Sequence, residues 1–136
     1  IPADPNLRDS DRVGERHTWH WPDNDAYNFV LEDHAGDDSL EWALNEADPI
    51  IRRYAPDVII FVVGADGHRG TTEAGVPTAY ASYTYRGFAA AGRRVRDWAD
   101  EFCRGRILMT GAGGYQPHTH TPRIWANMAM LLAEGR

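Results

Sequence analysis

The chain has 136 residues, enough for one domain with a core of its own. Its 43% hydrophobic and 25% charged content is that of an ordinary soluble globular protein, and no apolar run reaches membrane-spanning length. A net charge of −6 argues against direct contact with nucleic-acid phosphates, and the single cysteine, Cys103, excludes an intramolecular disulfide and a cysteine-rich zinc cluster.

Residues 1–25 are polar, rich in Pro and Asp, and aperiodic; they predict an extended opening loop. Ala26 to Leu31 predicts a short strand. Asp37 or Asp38 then suits the cap of a helix with Leu40, Ala43, Leu44, Ala47, Ile50 and Ile51 as its apolar positions. Pro49 is expected to kink or divide that helix. Val58 to Val63 is an unbroken apolar run, mostly β-branched, that ends at Gly64-Ala65-Asp66. This predicts a parallel strand buried on both faces, delivering a carboxylate at its carboxyl end. Ligands of open α/β sheets bind at that end.

Gly67 to Ser82 is a long connection of the kind that serves a site. Phe88, Ala91, Val95, Trp98 and Phe102 predict a helix over 85–102, stopped by Gly105. Arg106 to Thr110 predicts another strand, followed by Gly111-Ala112-Gly113-Gly114-Tyr115. Thr121 or Pro122 opens a last helix through Trp125, Met128, Leu131 and Leu132. Residues 26–136 thus form a βαβαβα unit with a parallel sheet and right-handed crossovers. Three strands make a small sheet, and its outer strands want neighbours or a cover.

Asp66 admits two readings, a cap for the turn that follows its strand or a metal ligand or general base. The Gly111–Tyr115 segment admits three. It lacks the third glycine of a dinucleotide fingerprint, and Pro117 interrupts it, which weakens a phosphate-cradle reading. It can present the Tyr115 hydroxyl to a developing oxyanion on a pliable turn, or be a plain tight turn. If the two strands are neighbours, Asp66 and Tyr115 face one cleft. His118 and His120 read as solvated loop residues, since two histidines do not complete a metal site. His68 lies two residues beyond Asp66, within reach of the same cleft; His17 and His20, beside Trp19 and Trp21, read as packing or rim residues. Neither a His-Glu-x-x-His nor a Gly-x-Ser-x-Gly motif occurs.

The run Pro56 to Ile60 through Gly64-Ala65-Asp66, then a helix, then Ile107 to Met109 with Gly111 to Tyr115, resembles the histone deacetylase family and its bacterial acetoin-utilisation and acetylpolyamine amidohydrolase relatives. Asn28 to Leu31 followed by Asp37-Asp38 resembles the preceding strand of that family, and Ile124-Trp125 lies where the family carries an Arg-x-Trp-like helix start. The resemblance covers roughly residues 26–132. It implies a three-layer α/β/α fold with a parallel sheet, as in arginase, here as a partial domain. It implies zinc-dependent hydrolysis of an acyl-amide bond of the acetyl-lysine or acetylpolyamine type. Asp66 matches an aspartate ligand of the zinc, Tyr115 the oxyanion tyrosine, and Gly113 and Gly114 the turn beside the substrate channel.

The paired histidines and the Asp-x-His ligands of that family have no counterpart in residues 1–65, and Gly70 is followed by Thr71 where the family often has Gly-Asp. The expectation is therefore the C-terminal half of a cytoplasmic deacetylase, needing the N-terminal half and inactive without it. The alternatives are a non-catalytic remnant or partner-binding α/β module and, more distantly, a nucleotide-binding domain.

Overall fold

The computed structural model describes residues 16–70, 72–73, 76–77 and 81–134. Within them lie β1 (His17–Trp21), β2 (Ala26–Val30), α1 (Asp37–Tyr54), β3 (Ile59–Gly64), β4 (Thr72–Glu73), β5 (Val76–Pro77), α2 (Tyr85–Phe102), β6 (Ile107–Ala112) and α3 (His120–Ala133). No helix among these residues is long and apolar enough to cross a membrane.

The βαβα order yields a smaller parallel sheet than expected. β3 and β6 pair in parallel, with Ile59 opposite Ile107 and Gly64 opposite Ala112. β2 does not join them. It pairs antiparallel with β1, His17 opposite Val30 and Trp21 opposite Ala26. The aperiodic opening loop is thus corrected from residue 17 onward, since His17-Thr18-Trp19-His20-Trp21 is a strand whose aromatic residues hold the hairpin together. His20 stacks on Tyr27 with ring centroids 4.1 Å apart, and a turn with Asp25 at φ 51° closes the loop. Residues 1–15 of that predicted loop lie outside the described residues.

α2 and α3 pack on one face of the parallel pair. The buried cluster joins Val63 and Ala65 to Phe88 of α2 and to Ile124 and Met128 of α3, with Phe61, Met109 and Trp125 against it. Ile124 and Met128 are 1% exposed, and burial of each contributes about 1.5–3 kcal/mol. The other face of the strands is bare: Ile60, Val62 and Leu108 are 64%, 57% and 59% exposed, and Ile60 lies opposite Leu108 in the register. β3 is therefore covered on one face here, not two, and its pattern alternates.

α1 runs unbroken through Pro49, contrary to the expected division. Pro49 lies on an exposed side of the helix and forfeits one backbone bond. The neighbouring Asp48 is held from two directions, by the indole N–H of Trp98 at 2.8 Å and by Arg52 Nε at 2.7 Å, so tertiary bonds to α2 support that turn. At the other end of the helix pair, Asp37 accepts bonds from the N–H and hydroxyl of Thr84 (2.8 and 2.5 Å), while Thr84 Oγ1 caps α2 by accepting from Arg86 N–H and Gly87 N–H. α2 ends where Gly105, at φ 76°, sends its N–H back to the Ala99 carbonyl. The Cys103 thiol is fully buried, donates to the Pro56 carbonyl at 3.1 Å, and is pushed up in pKa by burial.

The hairpin is tied to α1 by charge. Arg16 grips Glu32 through Nε and Nη2, also reaches Asp38 at 3.0 Å, and Ser39 donates to Glu32 at 2.5 Å. The bonds from Arg16 and then Ser39 lower the Glu32 carboxyl to about 2 from its ordinary 4.5. A carboxylate lowered in the folded state contributes stability that is present above pH 4.5 and is lost as pH falls toward 2. Urea midpoints measured across that interval are expected to fall more steeply for the natural sequence than for Glu32→Gln, and parallel curves would contradict the assignment.

Candidate active site at the carboxyl edge of the parallel strands

Parallel pairing of β3 with β6 places Val63 opposite Gly111 and Gly64 opposite Ala112, so the segments following both strands emerge on the same edge. After β3 the chain makes one 3-10 turn, Ala65–Gly67, that carries Asp66. After β6 it enters the glycine turn that carries Tyr115. The two segments touch. A methyl carbon placed on Gly113 would overlap the Asp66 carboxylate. Tyr115 is 51% exposed.

The glycines of the turn are there for close approach rather than pliability. Gly113 has φ 60°, a left-handed conformation that costs an L-residue about 1–2 kcal/mol, and it lies against Asp66. Gly111 and Gly114 leave room for Trp125: a Cβ on either would come within 2.5 and 2.7 Å of its indole ring. The Trp125 N–H in turn donates to the Val63 carbonyl at 3.1 Å, reaching across to the neighbouring strand. Thr121, buried at the start of α3, accepts from Gln116 N–H at 3.3 Å and supports the exit of the turn.

Beside this edge lies a cluster that the sequence only half revealed. His68 is 5% exposed, its ring 4.2 Å from that of His120 and 4.5 Å from that of Tyr85. Tyr85 and His120 share a hydrogen bond of 2.7 Å, and Arg123 stands over the Tyr85 ring at 4.9 Å. Gly70 N–H donates to His68 Nδ1, which leaves the proton of the neutral ring on Nε2. Burial, with His120, Arg69 and Arg123 nearby, holds the His68 imidazole below its ordinary range. His120 is therefore packed into the structure and not a solvated loop histidine, whereas His118 is exposed as expected. Tyr83 closes the long connection onto this edge, its N–H donating to the Gly67 carbonyl and its carbonyl accepting from Arg69 N–H.

Asp66 fits a metal as one oxygen ligand, but among the described residues no three His, Cys, Asp or Glu side chains gather as a metal-binding set. Catalytic zinc takes three protein ligands and keeps a position for water, so these residues do not complete such a site.

A family model for the histone deacetylase domain matches residues 10–132. Histone deacetylase 8 of Arabidopsis thaliana is 37% identical over 89 residues, which are 65% of this chain and 22% of that protein. The acetoin utilization protein AcuC of Staphylococcus xylosus is 28% identical over 106 residues, 77% of this chain and 26% of that protein. The crystal structure of the HDA15 HD domain superposes with a TM-score of 0.59 at 25% identity, covering 76% of this chain and 27% of that one. The chain thus spans about a quarter of the length of the relatives it matches.

Gly113→Ala is expected to lower folding stability by about 1–2 kcal/mol or more, because it adds left-handed strain to a clash with Asp66. A urea midpoint equal to that of the natural sequence would show that the turn is not moulded on the carboxylate.

Proposed function

The chain belongs to the histone deacetylase family, and on that premise we propose that it supplies part of the active site of a zinc-dependent deacetylase acting on an acyl-amide bond of the acetyl-lysine or acetylpolyamine type. The observation that carries this reading is the contact of the Asp66 carboxylate with the glycine turn that bears Tyr115. Zinc, when bound, polarises a carbonyl and brings the pKa of a water toward neutrality. Among the described residues Asp66 is the ligand assigned at the edge, and in this reading the others come from elsewhere in the complete natural protein.

Tyr115 then has a defined part. Its hydroxyl donates a hydrogen bond to the substrate carbonyl oxygen, and the bond strengthens as that oxygen gains negative charge and the acyl carbon becomes tetrahedral. Gly113 and Gly114 form the wall of the substrate channel beside it. A turn without side chains lets an extended acylated amine lie close to the backbone. The net charge of −6 suits a cationic peptide or polyamine.

The bare face of β3 and β6 supports the further reading that this is a partial domain of a three-layer α/β/α fold. Parallel sheets occur almost only with both faces covered, and Ile60, Val62 and Leu108 have the apolar character of a covered face. The N-terminal half of the enzyme is the proposed cover and the source of the missing ligands and proton-handling histidines. The incomplete ligand set also fits a non-catalytic, partner-binding module, and zinc content of the complete natural protein separates the two.

In that protein Tyr115→Phe is expected to lower kcat by about 10²–10³-fold, the loss of about 2.7–4 kcal/mol seen for one oxyanion donor. Asp66→Ala is expected to abolish stoichiometric zinc, measured by elemental analysis. Unchanged turnover in the first variant removes the role given to Tyr115, and retained zinc in the second removes the ligand assignment.

A further inference from the structure

We propose that Trp125 is a positioning residue of this edge, a side chain that fixes the turn bearing Tyr115 relative to the strand bearing Asp66. Three contacts carry the inference. The indole N–H donates to the carbonyl of Val63 at 3.1 Å, the buried residue three positions before Asp66. The six-membered ring of the indole lies against Gly111 at the end of β6, where a Cβ would sit 2.5 Å from Cζ2 and 2.7 Å from Cε2. The same ring lies against Gly114, where a Cβ would sit 2.7 Å from Cη2. Trp125 therefore touches both strands and the residue next to Tyr115.

The anchoring of Trp125 is itself rigid. It belongs to α3, one residue after Ile124 and three before Met128, both 1% exposed and locked in the core with Val63 and Phe88. An aromatic ring has few rotatable bonds, and packing fixes them. Core rigidity is thus passed through one indole to a surface turn, and the turn does not need side chains of its own to stay in place. Asp66 stands against Gly113 of the same turn, so neighbouring glycines meet a carboxylate and an indole.

The consequence concerns turnover rather than affinity. Misplacing a catalytic group by about 1 Å costs on the order of 100-fold in rate. A Tyr115 set free by loss of the indole still allows substrate into the channel, but the hydroxyl no longer waits at the position of the developing charge. This kinetic part rests on the proposed deacetylase reading; the structural part does not.

The test uses two variants of the complete natural protein. Trp125→Phe keeps an aromatic ring and removes the N–H; Trp125→Ala removes both. Backbone NMR order parameters are measured at Gly113, Gly114 and Tyr115, with amides of α2 such as Val95 as the reference. Rigid backbone gives values of about 0.85 and flexible backbone below about 0.6. Trp125→Ala is expected to move the turn toward the flexible value with the α2 amides unchanged, and Trp125→Phe to fall between it and the natural sequence. In parallel, kcat is expected to fall by about 100-fold in Trp125→Ala with KM held, and Trp125→Phe to recover part of that loss.

A turn as ordered in Trp125→Ala as in the natural sequence overturns the proposal, and so does a kcat that holds while KM rises. If Trp125→Ala does not fold, an unchanged turn and unchanged kcat in Trp125→Phe overturn it equally. Should Tyr115→Phe leave turnover intact while the turn still loosens in Trp125→Ala, the deacetylase reading fails and the positioning role stands.

Discussion

The parallel register of β3 and β6 is the constraint on which the rest depends. Antiparallel pairing would send the residues after the two strands to opposite ends of the sheet. Parallel pairing, with Val63 opposite Gly111, sends both to one edge. The strands hold that register because the core seals one face of them: Phe61, Val63 and Met109 pack on α2 and α3, and a slip of one residue would turn those side chains to solvent. Residues 47 positions apart, Asp66 and Gly113, thus become spatial neighbours, and the Asp66 carboxylate comes to lie where a side chain on Gly113 would be.

The same sheet explains why the chain reads as part of something larger. Two parallel strands with helices on one face leave Ile60, Val62 and Leu108 in water, an arrangement that costs hydrophobic free energy until a second layer covers it. The proposed site has a matching gap: among the described residues no three side chains gather as a metal-binding set, where catalytic zinc takes three protein ligands. The bare face and the incomplete ligand set are separate observations, and both fit the proposal that the complete natural protein supplies the remaining layer.

Much of this was legible in the sequence where local chemistry decides structure. The α2 helix was predicted at both ends because its apolar spacing and Gly105 agree with each other, and the Thr84 cap agrees with them in the structure. Asp66 and the glycine turn were placed at strand ends by the small residues that terminate two apolar runs. Partnership was not legible. β2 was expected in one parallel sheet with β3 and β6, but which strand pairs with which is decided by packing, and β2 found the unanticipated β1 instead. β1 itself was hidden by the Pro and Asp residues around it. The half-covered state of β3 was invisible because a run of apolar residues reads the same whether its cover is in the chain or outside it. Trp125 looked like an ordinary helix aromatic; its reach to Val63 and two glycines exists only once α3 lies across the ends of the strands.

The central claim is that Asp66 and Tyr115 face one reaction centre. A crystal structure of the complete natural protein with zinc, located by its anomalous scattering, tests it most directly. The account predicts an Asp66 oxygen about 2.0–2.2 Å from the metal, with the Tyr115 hydroxyl turned toward the same open position. Zinc bound away from Asp66, or a Tyr115 hydroxyl directed to the far side of the turn, would contradict it.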